Sequence, residues 1–276
     1  MGDDVDYSLR TTWFGLLAAG NYVRPQPQAQ VVAAFKVAKD SGCKPFLGLA
    51  SNGKTYWIKH RNNDHGVQSL MVERVAAAVG LMLDAPLCPV ELVFIPDAIA
   101  GDPLLSGMGV APGTAHGSEA VDDAIEKMEL VHTRDDGNRF RQPRFIALWE
   151  LFAGEDPQWL YSRQDDYQVW SFDHGFWVSG GEMGDWGGDE LERTVEFWSP
   201  WNGNVRQMDP ATFLIVAESV ASLSVEDLLA AVATVPVSWG IPDDDLESLA
   251  WWLYSRRRHI SDRMKALSGV ASLNGR

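Results

Sequence analysis

Gly154-Glu155-Asp156, then Trp159-Leu160-Tyr161, then Gln168-Val169-Trp170-Ser171-Phe172-Asp173-His174-Gly175 is the stretch on which the fold turns. An aspartate sits in a loop after a strongly apolar helical run, residues 145–152. A short apolar strand, a polar turn and a second strand ending in Asp-His-Gly come next. A hairpin of this kind brings Asp156 and Asp173 out of the same end of a sheet. Paired carboxylates there suit phosphoryl transfer, where one aspartate orients the attacking hydroxyl and another holds the magnesium that bridges nucleotide phosphates. Taken singly, each has a plainer reading: Asp156 as a helix-terminal or turn aspartate, and Asp173 as a turn aspartate accepting from backbone amides.

Upstream, residues 31–37, 45–50 and 55–60 read as three strands, the last two joined by Ser51-Asn52-Gly53-Lys54, and Asn-Gly between such runs is a strong hairpin signal. They predict a small three-stranded antiparallel sheet. Tyr56-Trp57-Ile58-Lys59 places Lys59 at a strand end, within reach of phosphates beneath the sheet, or simply in solvent. Residues 66–83 form a helix, with Val67, Met71, Val75, Ala78 and Met82 on one stripe. Glu73 is the only acidic residue inside it, and on a helical wheel it falls away from that stripe, which reads as a solvated face. Between the first two strands, Asp40-Ser41-Gly42-Cys43-Lys44 is the candidate phosphate-covering loop, with Gly42 and Lys44 its working residues. No Walker A pattern is present.

Residues 92–95 form a short strand, and the Gly-, Pro- and Ala-rich residues 96–117 are the expected boundary between lobes. Beyond it, helices are expected over 118–131, 143–153, 209–222, 224–234 and 242–267, with Ser224 to Asp227 as a capping box carrying Asp in place of Glu or Gln. The expected domains are 1–96, carrying the nucleotide-binding sheet and helix, and 97–276, a helical lobe with the embedded hairpin. This order suits an α+β, bilobal, protein-kinase-like fold: a small antiparallel β N-lobe with one helix, and a larger, mainly helical C-lobe. A doubly wound sheet would need repeated βαβ units instead.

Composition narrows the function. A net charge of −15 argues against a general nucleic-acid binder, although a local lysine and a metal can still attract a nucleotide. Two cysteines, Cys43 and Cys88, lack zinc spacing and read as reduced, packed thiols. The acidic start Met1-Gly2-Asp3-Asp4 has no signal-peptide pattern, and no run is long enough for a membrane span, so a cytoplasmic location is expected. Ser171, Asp173 and His174 do not suit a hydrolase triad, since near neighbours in a strand are expected on opposite faces and no nucleophile-elbow glycines flank Ser171. Residues 180–189 read as a surface loop or a mobile substrate flap, and Arg256-Arg257-Arg258-His259 as a solvated or salt-bridged helix face.

Taken together, Tyr56-Trp57-Ile58-Lys59, the helix with Glu73, Gly154-Glu155-Asp156 and Phe172-Asp173-His174-Gly175 resemble the HipA-like kinase family, small bacterial relatives of the HipA toxin kinases and, more distantly, of phosphatidylinositol kinases. The resemblance covers roughly residues 30–180. It implies an ATP- and Mg2+-dependent phosphotransferase acting on a hydroxyl acceptor, protein Ser or Thr among the candidates. Lys59 would bind the α/β-phosphates, Glu73 would pair with it, Asp156 would be catalytic, Asp173 would hold magnesium, and backbone groups over residues 92–96 would receive the adenine. One position departs from the family's pattern. Asp156-Pro157-Gln158-Trp159 is shortened, and Gln158 stands where the family has the asparagine that supplies a second metal ligand. Its longer arm shifts the ion, and magnesium tolerates little misplacement. The alternatives are therefore a non-catalytic pseudokinase or a protein-binding module with the same fold, and, more remotely, metal-dependent hydrolysis by the Asp156/Asp173 pair.

Overall fold

The structure is a computed structural model, and it describes residues 5–38, 41–178 and 186–273. The chain opens with a 3-10 turn, Arg10–Trp13, and a short helix α1, Leu16–Ala19. Three strands follow, β1 (Ala29–Val37), β2 (Phe46–Ala50) and β3 (Thr55–Lys59). Helix α2, Gly66–Met82, leads to strand β4 (Val90–Ile95), helix α3 (Asp97–Ala100) and strand β5 (Gly113–Glu119).

The sheet is larger than the three strands expected from the sequence. β1, β2, β3, β5 and β4 close into a barrel in that order. The closure is a short parallel pairing of β1 with β4, Ala29 with Val93 and Gln30 with Phe94, and all other pairs are antiparallel. Closure removes exposed edges, and inward-facing side chains fill the interior. Val31, Phe46, Tyr56, Ile58, Val93, Ile95 and Ala115 form that filling. The Gly-rich stretch expected to be a hinge thus supplies a barrel strand. The reason is local: a Cβ on Gly117 would lie 3.2 Å from the Tyr56 ring, so the glycine lets the ring pass across β5.

The helix expected over 118–131 is also absent. Its residues end β5 and form β6 (Ala124–Lys127), which pairs with β7 (Trp159–Ser162) and β8 (Gln168–Ser171) in a second antiparallel sheet. Helix α4, Asn138–Leu151, starts five residues earlier than the apolar pattern indicated. The remaining helices, α5 (Gly188–Thr194), α6 (Pro210–Ser222), α7 (Val225–Val232) and α8 (Asp243–Ser272), complete the larger lobe. The Ser224–Asp227 capping box forms in both directions. No helix among the described residues is long and apolar enough to cross a membrane.

The result is a bilobal α+β fold, a small barrel-like N-lobe and a larger, mainly helical C-lobe, as the sequence pattern indicated. Two features tie the lobes together. Helix α2 is buried around most of its circumference and shares one apolar core with α4, α6, α7 and α8. The N-terminal segment docks on α8: Trp13 and Leu17 enter that core, and Glu247 accepts from Gly15 N at 2.8 Å and Leu17 N at 2.7 Å. The abundant tryptophans are largely structural. Trp149, Trp159, Trp177 and Trp201 surround Phe145 with ring centroids between 3.7 and 6.3 Å, mostly edge to face.

Candidate active site

The site lies where the end of β3, the middle of α2 and the segment after β8 converge. Lys59, the last residue of β3, is only 6% exposed. Its ammonium hydrogen-bonds Glu73 Oε1 and also lies 2.5 Å from Asp173 Oδ1. Glu73 therefore does not face solvent. It is 2% exposed, because α2 is flanked on both sides by core and has no solvated face at that position. Burial works against the charge on Lys59, but Asp173 and Glu73 outweigh it and raise its affinity for the proton above the ordinary value. Burial likewise pulls the Glu73 carboxyl upward, and Lys59, with His174 and His116, more than offsets this and holds it well below the usual carboxylate range.

The second oxygen of Glu73 meets two imidazoles that the sequence did not single out for this role. His174 Nδ1 is 3.5 Å away and His116 Nε2 is 3.9 Å away. His116 is wholly buried in β5, and burial pushes its pKa down to about 3, with Glu73 pulling the other way. His174 Nε2 lies 2.7 Å from Ser171 Oγ. The two do meet, against the expectation of opposite faces, because the chain leaves the strand after Ser171 and turns through Asp173 at φ +59°. Both are nearly inaccessible, at 1% and 3% exposed, so the contact fixes the turn and offers no nucleophile to a substrate. Gly175 completes the close approach: a Cβ there would stand 3.2 Å from Ser69 Cβ and 3.3 Å from Ser69 O on α2.

The hairpin forms as its sequence indicated, with Trp159 opposite Ser171, so the Asp156 loop and the Asp173 turn emerge at one end of the sheet. Asp156 is exposed and has φ +50°. Its Oδ2 accepts from Gln158 Nε2 at 2.8 Å. The loop leading to it is tightly held: Gly154 N donates to Trp149 O at 2.8 Å, Trp177 Nε1 to Glu155 O at 3.0 Å and Ser199 Oγ to Gly154 O at 3.1 Å. Beneath lies a buried polar cluster. Glu150 accepts from Trp198 Nε1 (3.2 Å) and Trp201 N (3.0 Å), and Arg256 donates to the carbonyls of Glu150 and Leu151, both at 2.9 Å. Arg256, read from the sequence as a surface residue, is thus an interior strut.

In the β1–β2 loop, Lys44 is partly exposed and pairs with Asp64 at 2.8 Å. A Cβ on Gly42 would strike the His65 ring, and Cys43 Sγ lies 3.0 Å from His65 Nδ1. His65 in turn packs on Phe176, ring centroids 4.3 Å apart. Asp40 and residues 180–185 of the acidic loop lie outside the described residues, and Gly188 and Asp189 begin α5. Of residues 92–96, expected to receive an adenine, all but Pro96 belong to β4, which pairs with β5 from Val90 to Ile95 and with β1 at Val93 and Phe94.

A buried lysine shared between a helix glutamate and a hairpin aspartate, under a small β lobe and beside a helical one, is the arrangement of a kinase-like fold. Among solved structures, the chain is similar to the Helicobacter pylori proinflammatory kinase CtkA, with a TM-score of 0.59 and 10% identity over 88% of this chain and 99% of that one. At that identity the likeness concerns the fold. No family model matches the sequence. No curated protein matches it either.

The residues present fit a magnesium nucleotide. Asp173 Oδ1 faces Lys59, while its other oxygen has no hydrogen-bond partner among the described residues, and its side chain is 21% exposed. Among the described residues no group of three or more His, Cys, Asp or Glu gathers for a metal. Magnesium is commonly held by one or two carboxylates together with substrate phosphates and water, and Asp173 supplies one such carboxylate.

Proposed function

We propose that the chain is an ATP- and Mg2+-dependent phosphotransferase that moves the γ-phosphate to a hydroxyl acceptor, with protein serine or threonine as the acceptor class. The observation that carries this reading is the double engagement of Lys59 by Glu73 and Asp173. A buried ammonium held by two carboxylates is a charge arrangement with one cation and two anions, and an added cation would balance it. Asp173, with the carbonyl oxygen of Gln158, would hold magnesium, which when bound neutralises charge on the phosphates. Lys59, kept in place by Glu73, is positioned to bind phosphate oxygens once Asp173 turns to the metal. Asp156 would orient the acceptor hydroxyl and take its proton.

A second reading, a nucleotide-binding pseudokinase or binding module, is favoured by one contact: Gln158 donates its amide to Asp156. The tryptophans lend that reading less support than their number suggests, because most of those around Phe145 are buried in the core.

Transfer of radiolabelled γ-phosphate from Mg-ATP to a mixture of hydroxyl-bearing proteins tests the proposal, alongside a thermal-shift titration with ATP in the presence and absence of magnesium. Transfer that disappears in Asp173→Ala is the expected result. A magnesium-dependent shift without transfer would favour the pseudokinase, and neither response would leave the binding module.

A further inference from the structure

A cavity of about 850 Å3 opens on the C-lobe between the N-terminal segment at 5–8, the stretch 195–198 and the middle of α8. Its wall at 195–198 is fastened to the loop that carries Asp156. Arg256 bridges the two, donating to Leu151 O on one side and to Val195 O, at 3.2 Å, on the other. The next residue on that wall, Ser199, bonds Gly154, two residues before Asp156.

The two arginines after Arg256 behave differently from it. Arg257 and Arg258 line the cavity and meet no carboxylate at ion-pair distance among the described residues, as is also true of Arg61, Arg74, Arg134, Arg206 and Arg256, whereas Arg10, Arg24, Arg139, Arg141, Arg144, Arg163, Arg193 and Arg263 each do. The Arg257 guanidinium carbon sits 3.2 Å from the Tyr254 ring centroid and its Nη1 donates to Tyr254 O, while its Nε is buried without a partner among the described residues. A guanidinium held over a ring and lacking a carboxylate keeps its charge, and the donors it has left, for an incoming one. Beside it, Trp198 and Phe197 remain 39% and 43% exposed, an apolar wall next to the cations. Of the acidic residues in the lining, Asp6 accepts from Ser8 N at 2.9 Å and Glu196 is exposed to solvent, and neither forms an ion pair with Arg257 or Arg258.

We infer that this cavity docks an acidic peptide segment bearing an aromatic or aliphatic side chain, belonging to the protein whose hydroxyl is phosphorylated. The inference rests on the phosphotransferase reading for its purpose, and on charge complementarity for its ligand: on a chain of net charge −15, an acidic partner is favoured only where cations gather locally, as Arg257 and Arg258 do here. The volume is at the upper end of the range for small-molecule sites, leaving room for several residues of chain. An anchor one short loop away from Asp156 would raise the local concentration of the acceptor hydroxyl.

The test is fluorescence polarisation of a labelled peptide of Asp, Glu and Ser with one central Phe, titrated with the full chain at two salt concentrations. Binding that weakens with salt, and by about tenfold or more in an R257Q/R258Q variant with partial recovery in R257K/R258K, is the expected result. Equal binding of a peptide with Lys in place of every acid, or no loss in the double variant with its melting temperature unchanged, would overturn it. Displacement of the peptide by phenyl phosphate at equal concentration would overturn the peptide assignment in favour of a small anion. The Mg-ATP thermal shift is read separately on the unaltered chain, so peptide binding without a nucleotide response would sink the phosphotransferase reading while leaving the docking site standing.

Discussion

Lys59 Nζ lies 2.5 Å from Asp173 Oδ1 while also hydrogen-bonding Glu73, so a residue of the barrel, one of helix α2 and one of the hairpin share a single buried charge cluster. Removing one partner of a buried pair leaves an uncompensated charge. Glu73→Ala is therefore expected to cost about 3 kcal/mol, the lower end of the range for a broken buried pair, since Asp173 still faces the lysine. Urea unfolding at neutral pH measures it. A change within a few tenths of a kcal/mol would mean that Lys59 is solvated in the folded chain.

The same cluster sets an acid limit. Burial holds His116 neutral with its pKa pushed down to about 3, against 6.5 for an unperturbed imidazole, so the unfolded chain binds that proton first. Its contribution to stability is complete above pH 6.5 and declines as pH falls toward about 3. Burial lowers His60 in the same direction. Glu73, held below its unfolded value of 4.5, adds a loss below that pH. The urea midpoint should thus fall between pH 6.5 and 4, and His116→Gln should flatten the upper part of that slope. An equal slope in the variant would remove His116 from the account.

Much of this site was legible locally and little of it at long range. The hairpin and Lys59 announce themselves through alternation and turn residues that act over a few positions. Glu73 was misread because a helical wheel assumes one buried face, and α2 is enclosed by barrel and C-lobe alike. β5 was unreadable for a related reason: Gly113-Thr114-Ala115-His116-Gly117 has loop composition, and only the Tyr56 ring packed against Gly117 explains it. His116 and Arg256 carry no sequence signal, since their partners stand 43 and 106 residues away, at Glu73 and Glu150.

Arg256 joins the end of α4 to residues 195–197 and stacks on Trp252, 4.1 Å from its ring centroid. Arg256→Ala leaves the carbonyls of Glu150, Leu151, Val195 and Phe197 without this donor. A loss of about 3 kcal/mol is expected, with faster hydrogen exchange at 153–156 as the specific sign. Destabilisation with unchanged exchange there would show that Arg256 supports the helices and not the Asp156 loop.

Both thiols should be slow. Burial pushes Cys43 up to about 11 and Cys88 up to about 12, so little thiolate exists at pH 8. A disulfide-exchange reagent should therefore label neither in the folded chain within minutes, and both after denaturation. His65→Ala removes the ring 3.0 Å from Cys43 Sγ and should expose that thiol alone. Rapid labelling of Cys43 in the unaltered protein would mean that the β1–β2 loop opens far from the arrangement described.

Asp156 is exposed, lies at the same end of the hairpin as Asp173, and keeps one carboxylate oxygen without a hydrogen-bond partner among the described residues. Asp156→Asn preserves its shape and its approach to Gln158 while abolishing its basicity. The Mg-ATP thermal shift should persist in this variant, because Lys59 and Asp173 are untouched, and phosphate transfer should fall by about a hundredfold or more. Transfer above a tenth of the original rate would refute a proton-accepting role. Gln158→Asn then decides how the shortened loop works, since the shorter arm withdraws the amide from Asp156 and moves the carbonyl oxygen. Faster transfer in Gln158→Asn identifies a kinase slowed by its own ligand geometry. Transfer absent from the original and the variant alike, with the nucleotide shift retained in both, identifies a protein that binds Mg-ATP on this fold without turning it over.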